Sequence, residues 1–218
     1  MDREENFGTQ STFLQTKTKM NKSEKFWDWI SKIYDKQAKD KTYKRTLEIT
    51  KNHLKSSDIV LDYACATGLY SIELAGNVKE IHGIDISSKM IETAKRKAAK
   101  NVNFEKATIF EKYEKETFNV ILAFNILHLL EEPQKVMQRI NELLKSGGLL
   151  ISVTPCLGEK YSFLSIFLVL LRKIRILPYI RSFKISELKE LISGNFQILE
   201  TGNLPPMNYL IIAKKIDR

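Results

Sequence analysis

Ile59-Val60-Leu61-Asp62-Tyr63-Ala64-Cys65-Ala66-Thr67-Gly68 is the stretch on which the reading of this chain turns, together with Asp85, 23 residues beyond Asp62. Its apolar start predicts a buried strand, its run of small residues a tight turn, and the residues after Gly68 a helix. An acid then closes the next strand, at His82-Gly83-Ile84-Asp85. This is the layout of a nucleotide-type cofactor site in an open α/β sheet. Backbone amides of the turn approach the ligand, and the acid accepts hydrogen bonds from a ribose diol. The spacing also suits a dinucleotide, but the residue types do not. A pyrophosphate calls for G-x-G-x-x-G at a helix N-terminus. Here Ala64, Ala66 and Gly68 recur at every second position behind Asp62, and a carboxylate repels pyrophosphate while attracting an amino group or a sulfonium.

On these residues the chain resembles the class I S-adenosylmethionine-dependent methyltransferases, whose first motif runs Asp-x-Gly-Cys-Gly-Thr-Gly. Two of those glycines are Ala64 and Ala66 here, a substitution familiar among small-molecule members. Asp85-Ile86-Ser87-Ser88-Lys89-Met90 is similar to the family's second motif, Asp-x-Ser-x-x-Met. The resemblance implies S-adenosylmethionine as cofactor, S-adenosylhomocysteine as product, and a cofactor site of Asp62, Ala64, Cys65, Ala66, Gly68, Asp85, Ile86 and Met90. Asp85 would take the ribose hydroxyls and Ile86 would lie against the adenine. Asp85 as a plain helix cap and Met90 as plain core packing are the competing structural readings.

After the third predicted strand the family places an acid near the adenine amine, and Lys106-Ala107-Thr108-Ile109 lacks it. Recognition there would fall to backbone groups of Thr108 and Ile109. Phe118 to Leu130 resembles the segment beside the transferred methyl group, so Ala123, Phe124 and Asn125 would line the methionine end. His128 and Tyr34 are the candidate catalytic residues. For His128, general base and local loop-orienting group are both open. The Asn/Asp-Pro-Pro-Tyr run of amine and amide methyltransferases is absent, since Phe124-Asn125-Ile126-Leu127 stands in its place. Cys156 has no Pro-Cys partner motif that would make it a nucleophile.

The chain has 218 residues and is 43% hydrophobic, enough for one large core. The polar residues 1–22 read as a disordered tail, with no secretory signal in their composition. Cys65 and Cys156 suggest no disulfide framework, which together with the missing signal points to the cytoplasm. The three histidines show no metal-ligand spacing. The formal charge of +9 reads first as a lysine-rich solvated surface, with nucleic acid or an anionic membrane as alternatives.

Residues 23–57 read as a helical cap, with helices over Glu24–Lys39 and Thr42–Leu54. Residues 58–218 read as the core. Strands are expected at Ile59–Tyr63, Glu80–Asp85, Asn101–Lys106, Phe118–Phe124, Leu149–Thr154, Phe196–Thr201 and Tyr209–Lys214. Helices are expected from Leu69 to Ala75, from Ser87 or Ser88 to about Lys100, from Pro133 to Ser146-Gly147-Gly148, and over Ile185–Ser193. The fold class is therefore α/β: a Rossmann-like, mostly parallel sheet with helices on both faces. The resemblance adds seven strands ending in an antiparallel hairpin. Residues 157–183 form an insertion where the family places lids. Its apolar run within Tyr161–Ile180, followed by Arg172, Lys173 and Arg175, is too short to span a bilayer. A buried lid, a pocket for an apolar acceptor and a membrane-surface contact all remain open for it.

The expected function is methyl transfer by direct displacement to a small, partly apolar acceptor, lipid- or quinone-like. RNA methylation and a non-catalytic cofactor-binding module are the alternatives. The sequence does not speak to oligomeric state.

Overall fold

The computed structural model describes residues 23–159 and 179–216. The expected tail at 1–22 and most of the 157–183 insertion lie outside the described residues.

The order of elements is α1 (23–30), α2 (Tyr34–Ala38), α3 (Lys41–Lys51), β1 (Ile59–Tyr63), α4 (Leu69–Leu74), β2 (Glu80–Asp85), α5 (Ser88–Lys95), β3 (Val102–Lys106), β4 (Phe118–Phe124), α6 (Pro133–Leu143), β5 (Leu144–Pro155), α7 (Ile185–Ser193), β6 (Phe196–Leu204) and β7 (Asn208–Lys215). The seven strands form one sheet in the order β3-β2-β1-β4-β5-β7-β6. β1 to β5 run parallel, and β7 is antiparallel to both β5 and β6. Strand order reverses between β1 and β4, which opens a crevice at their carboxyl ends.

Two apolar layers hold helices to the two faces. Val60, Ile81, Val120, Leu122, Ile151 and Ile212 point to the side of α3, α4 and α5, where they meet Tyr43, Leu47, Leu74, Ile91 and Ala94. Leu61, Ile84, Ile121, Leu150 and Ile211 point to the side of α6 and α7, against Met137, Ile140, Leu188 and Ile192. Side chains alternate along a strand, and both faces are covered, so the central strands are apolar on both sides.

Three boundaries depart most from expectation. The helix expected over Glu24–Lys39 is interrupted at 31–33, where the Ser31 hydroxyl donates to the Asp28 carbonyl (2.7 Å) in place of a regular turn. The helix after Ser87 ends at Lys95, because Asn101 below it turns inward and donates through Nδ2 to the Ala75 and Val78 carbonyls (2.9 and 3.2 Å). Ser146-Gly147-Gly148 is no helix terminus. α6 stops at Leu143, and the chain already pairs with β4 at Phe118↔Leu144, then resumes at Val120↔Leu149 after an irregularity. Gly147 takes φ +69 within it, and a Cβ on Gly148 would stand 3.0 Å from the Asn119 carbonyl oxygen.

Candidate active site

The turn between β1 and α4 sits at the strand-order reversal. Ala64 (φ 60), Ala66 (φ 48) and Gly68 (φ 76) are all left-handed, which brings the backbone round in a tight loop. The Cys65 amide donates to the Ile84 carbonyl (3.0 Å) and the Gly68 amide to the Cys65 carbonyl (2.9 Å). The Asp85 carboxylate completes the loop, accepting from the Ala66 amide (3.0 Å) and the Ser87 amide (2.8 Å), one on each oxygen. Phe104 packs underneath, where a Cβ on Gly68 or Gly83 would lie 2.3 or 2.5 Å from its ring.

Asp62 is 2% exposed and accepts a hydrogen bond from Ser71 Oγ on its Oδ2 (2.6 Å). Burial, reinforced by the charge of Asp85, pushes the Asp62 carboxyl up to about 6 despite the Ser71 hydrogen bonds. Asp85 is likewise pushed up to about 6, by burial and the charge of Asp28, against the pull of the Ser87, Ala66 and Ile86 backbone. Two buried carboxylates, each with acceptor capacity left, suit a ligand that brings a positive charge and hydroxyl donors.

The cap lies over this turn and is tied to it by acids. Asp28 Oδ1 accepts from Ser87 Oγ (2.5 Å) and from the Lys89 amide (3.1 Å). Glu24 pairs with Lys106 and accepts from Ser88 Oγ (3.1 Å). Asp35 accepts from Thr67 Oγ1 and pairs with Lys97 (2.8 Å). These ties place Tyr34 close enough to Asp85 and Asp62 that burial and their charges raise its phenol above its ordinary range.

At the end of β4, Asn125 is left-handed (φ 56) and exposed, while Phe124 is buried and meets Tyr70 in a tilted ring contact at 4.5 Å between ring centres. Tyr70 in turn meets Tyr43 at 4.8 Å, giving an aromatic row along one side. His128 follows on the single turn Leu127–Leu129. Its Nδ1 is buried with no hydrogen-bond partner among the described residues. Burial lowers its pKa to about 4, so the ring is neutral at physiological pH. Its carbonyl accepts from the Arg181 amide (2.7 Å), and Gly158 N–H donates to the Phe183 carbonyl (2.9 Å). The chain therefore leaves for the 160–178 stretch and returns from it next to His128.

The structure thus brings together Asp62, Ala64, Cys65, Ala66, Gly68, Asp85, Ile86 and Tyr34, with Phe124 and Asn125 at the neighbouring strand end. Met90 is 1% exposed and packed in the interior. Ile109 is fully buried among core residues, its carbonyl taken by Arg139 Nε (3.2 Å), and the Thr108 amide is taken by Glu111 (3.1 Å). Glu24, Asp28, Asp35, Thr67 and Ser71 escaped the sequence reading. The signal was there in part: Glu24, Asp28 and Asp35 share one flank of a helical segment otherwise rich in lysine.

The sequence profile of a family described as "Methyltransferase domain" matches residues 54–176. The chain belongs to the class I S-adenosylmethionine-dependent methyltransferase family. Among curated relatives, it is 29% identical over 150 residues to an uncharacterized methyltransferase of Schizosaccharomyces pombe, covering 62% of this chain and 57% of that protein. It is 29% identical over 124 residues to a ubiquinone biosynthesis O-methyltransferase of Colwellia psychrerythraea, covering 55% and 50%. The chain thus spans about half the length of these relatives. Among solved structures it shares its fold with a Haloferax volcanii methyltransferase bound to the Trm112 methyltransferase activator (TM-score 0.73, 12% identity, 90% of this chain and 98% of that one). It also matches geranyl diphosphate methyltransferase in complex with GPP and sinefungin (TM-score 0.68, 14% identity, 80% and 78%). Among the described residues no helix of this class I methyltransferase is long and apolar enough to cross a membrane.

Proposed function

We propose that this chain is an S-adenosylmethionine-dependent methyltransferase acting on a small acceptor with an apolar body and a polar end, quinone- or isoprenoid-like in character. The observation that carries the reading is the pair of buried carboxylates, Asp62 and Asp85, gathered on one left-handed turn at the strand-order reversal. The names of two similar proteins, a ubiquinone biosynthesis O-methyltransferase and a geranyl diphosphate methyltransferase, support the choice of acceptor class.

Bound at this turn, S-adenosylmethionine would supply a methyl group on a sulfonium sulfur for in-line displacement. The chain's own residues do the rest. Asp62 offers a buried negative charge to the cationic end, and the remaining lone pairs of Asp85 accept from ribose hydroxyls. Ile86 gives the adenine an apolar surface, and the backbone at Phe124 and Asn125 borders the methionine end. His128 is neutral and lowered to about 4, too weak a base to ionise a phenol unaided. Its unpartnered Nδ1 is buried, so the ring must turn outward to accept a hydrogen bond from an incoming hydroxyl and hold the oxygen in line, where positioning dominates the rate. Tyr34, tied down through Asp35, excludes water above Asp62 and Asp85.

Calorimetric titration of S-adenosylmethionine and S-adenosylhomocysteine into wild type, Asp85→Asn and Asp85→Ala tests this. Saturable binding to wild type, weakened roughly 10- to 100-fold in both variants, is expected for loss of charge-assisted hydrogen bonds. Folded wild type that binds neither ligand would overturn the reading. Acceptors with a hydroxyl on an apolar scaffold follow, with His128→Ala expected to lower kcat more than it raises KM.

A further inference from the structure

We propose that the outer face of α1 and α2 is a docking surface for an anionic lipid bilayer. Along residues 23–36 the charges are sorted by sign. Glu24 and Asp28 turn inward, and Asp35 keeps 40% of its side chain exposed; the three are taken up by Ser88, Lys106, Ser87, the Lys89 amide, Thr67 and Lys97. The exposed residues are Lys25, Trp29, Lys32, Ile33 and Lys36, with Trp29 66% and Ile33 40% exposed. Their steps of four, three, one and three residues set them in one stripe of a helical surface.

The interruption at 31–33 does not break that stripe. Ser31 N–H still donates to the Trp27 carbonyl (3.0 Å), Ile33 N–H to Ile30 (3.0 Å) and Lys36 N–H to Ile33 (3.2 Å). No acid lies on the stripe, and among the described residues none of its three lysines is in an ion pair.

An exposed indole and an aliphatic side chain framed by ammonium groups match the headgroup level of an anionic bilayer. The apolar groups enter between headgroups and the lysines meet phosphates. Single-stranded RNA would also use lysine and tryptophan, but in a groove with stacking platforms. This stripe is a protruding helix face, and Ile33 offers nothing to a base. The surface lies on the segment that covers the cofactor turn, so docking and access to the site share one element. The proposal does not depend on the methyl-transfer reading, because partition is measured without turnover.

The test uses the full chain in a Trp27→Phe background, which leaves Trp29 as the only indole. It is titrated with vesicles of phosphatidylcholine alone and of phosphatidylcholine mixed with phosphatidylserine, and thermal unfolding midpoints verify that every variant is folded. We expect binding to the anionic vesicles only, weakening with salt, with a blue shift of Trp29 emission. Lys25→Gln, Lys32→Gln and Lys36→Gln should each weaken partition roughly fivefold, and Ile33→Ser about tenfold. Absence of partition overturns the proposal. So does partition that these variants leave unchanged, which would move the contact to another surface such as residues 161–180. Preference for a single-stranded oligoribonucleotide over the vesicles overturns it as well.

Discussion

Asp62 and Asp85 hold their charges against their surroundings when no ligand is bound. Each is raised to about 6 from 3.8. Between roughly pH 4 and 6 the native carboxyl keeps a proton that the unfolded chain has released, so stability falls as pH rises through that window. The penalty is fully present above pH 6 and, for one group alone, on the order of 3 kcal/mol. Because Asp85 is itself a cause of the Asp62 shift, the two penalties do not add. Asp62→Asn, which keeps an acceptor for Ser71 Oγ, should therefore raise the unfolding midpoint of the ligand-free protein near pH 7 and flatten its dependence between pH 4 and 6. Thermal unfolding across pH reads this directly, and a lowered midpoint would contradict it. A cationic ligand relieves the same penalty. Affinity for S-adenosylmethionine should climb with pH up to about 6 and then level, more steeply than for S-adenosylhomocysteine, which lacks the sulfonium charge.

Gly83 makes a second residue-level prediction. A Cβ there would stand 2.5 Å from the ring of Phe104, itself 5% exposed, and 3.1 Å from Cys65 Sγ. Gly83→Ala should cost about 1–3 kcal/mol in chemical denaturation, and Phe104→Leu on top of it should recover part. A neutral Gly83→Ala would mean that the ring moves aside freely. At this scale the sequence was legible where chemistry is local. Asp62, Asp85 and the small residues between them are read from type and spacing alone. Asp28 and Asp35 were not, because their partners Ser87 and Thr67 lie 59 and 32 residues away. Ile109 shows a related limit: its place in the motif says nothing of its burial or of the Arg139 contact to its carbonyl.

The ties made by the cap are short in number and long in reach. Asp28 and Asp35 grip opposite sides of the cofactor turn, one at the start of α5 and one at Thr67, and the chain between them carries the interruption at 31–33. Asp28→Ala with Asp35→Ala should release the segment and speed tryptic cleavage at Lys32 and Lys36 several-fold, while the core resists. Unchanged cleavage rates would show that apolar packing of Phe26, Trp27 and Tyr34 suffices without the acids. Elements with a strong period or a plain apolar run, β1, β2, β4 and α7, were read from sequence to the residue. The cap helix was not, since its interruption follows from anchoring at both ends. Nor was the beginning of β5, where two glycines imitate a helix terminus while pairing with β4 sets the backbone.

Across the whole molecule, the parallel strands and the site at their carboxyl ends follow from alternating apolar runs and helix periods. The place of β7 does not, because the sequence shows a hairpin but not which of its strands joins the sheet. The structure inserts β7 between β5 and β6, antiparallel to each. Among the described residues β6 has no neighbour in the sheet other than β7, so it joins the sheet only with or after β7. Until then β5 presents the apolar residues Leu150, Ile151 and Val153 along an unpaired edge. The half that carries the cofactor turn, β3-β2-β1-β4, has no such dependence. An opening of the β6–β7 hairpin would leave the turn intact yet expose an adhesive strand, so this protein's hazard of self-association lies at an edge of the sheet while its cofactor turn lies in the interior.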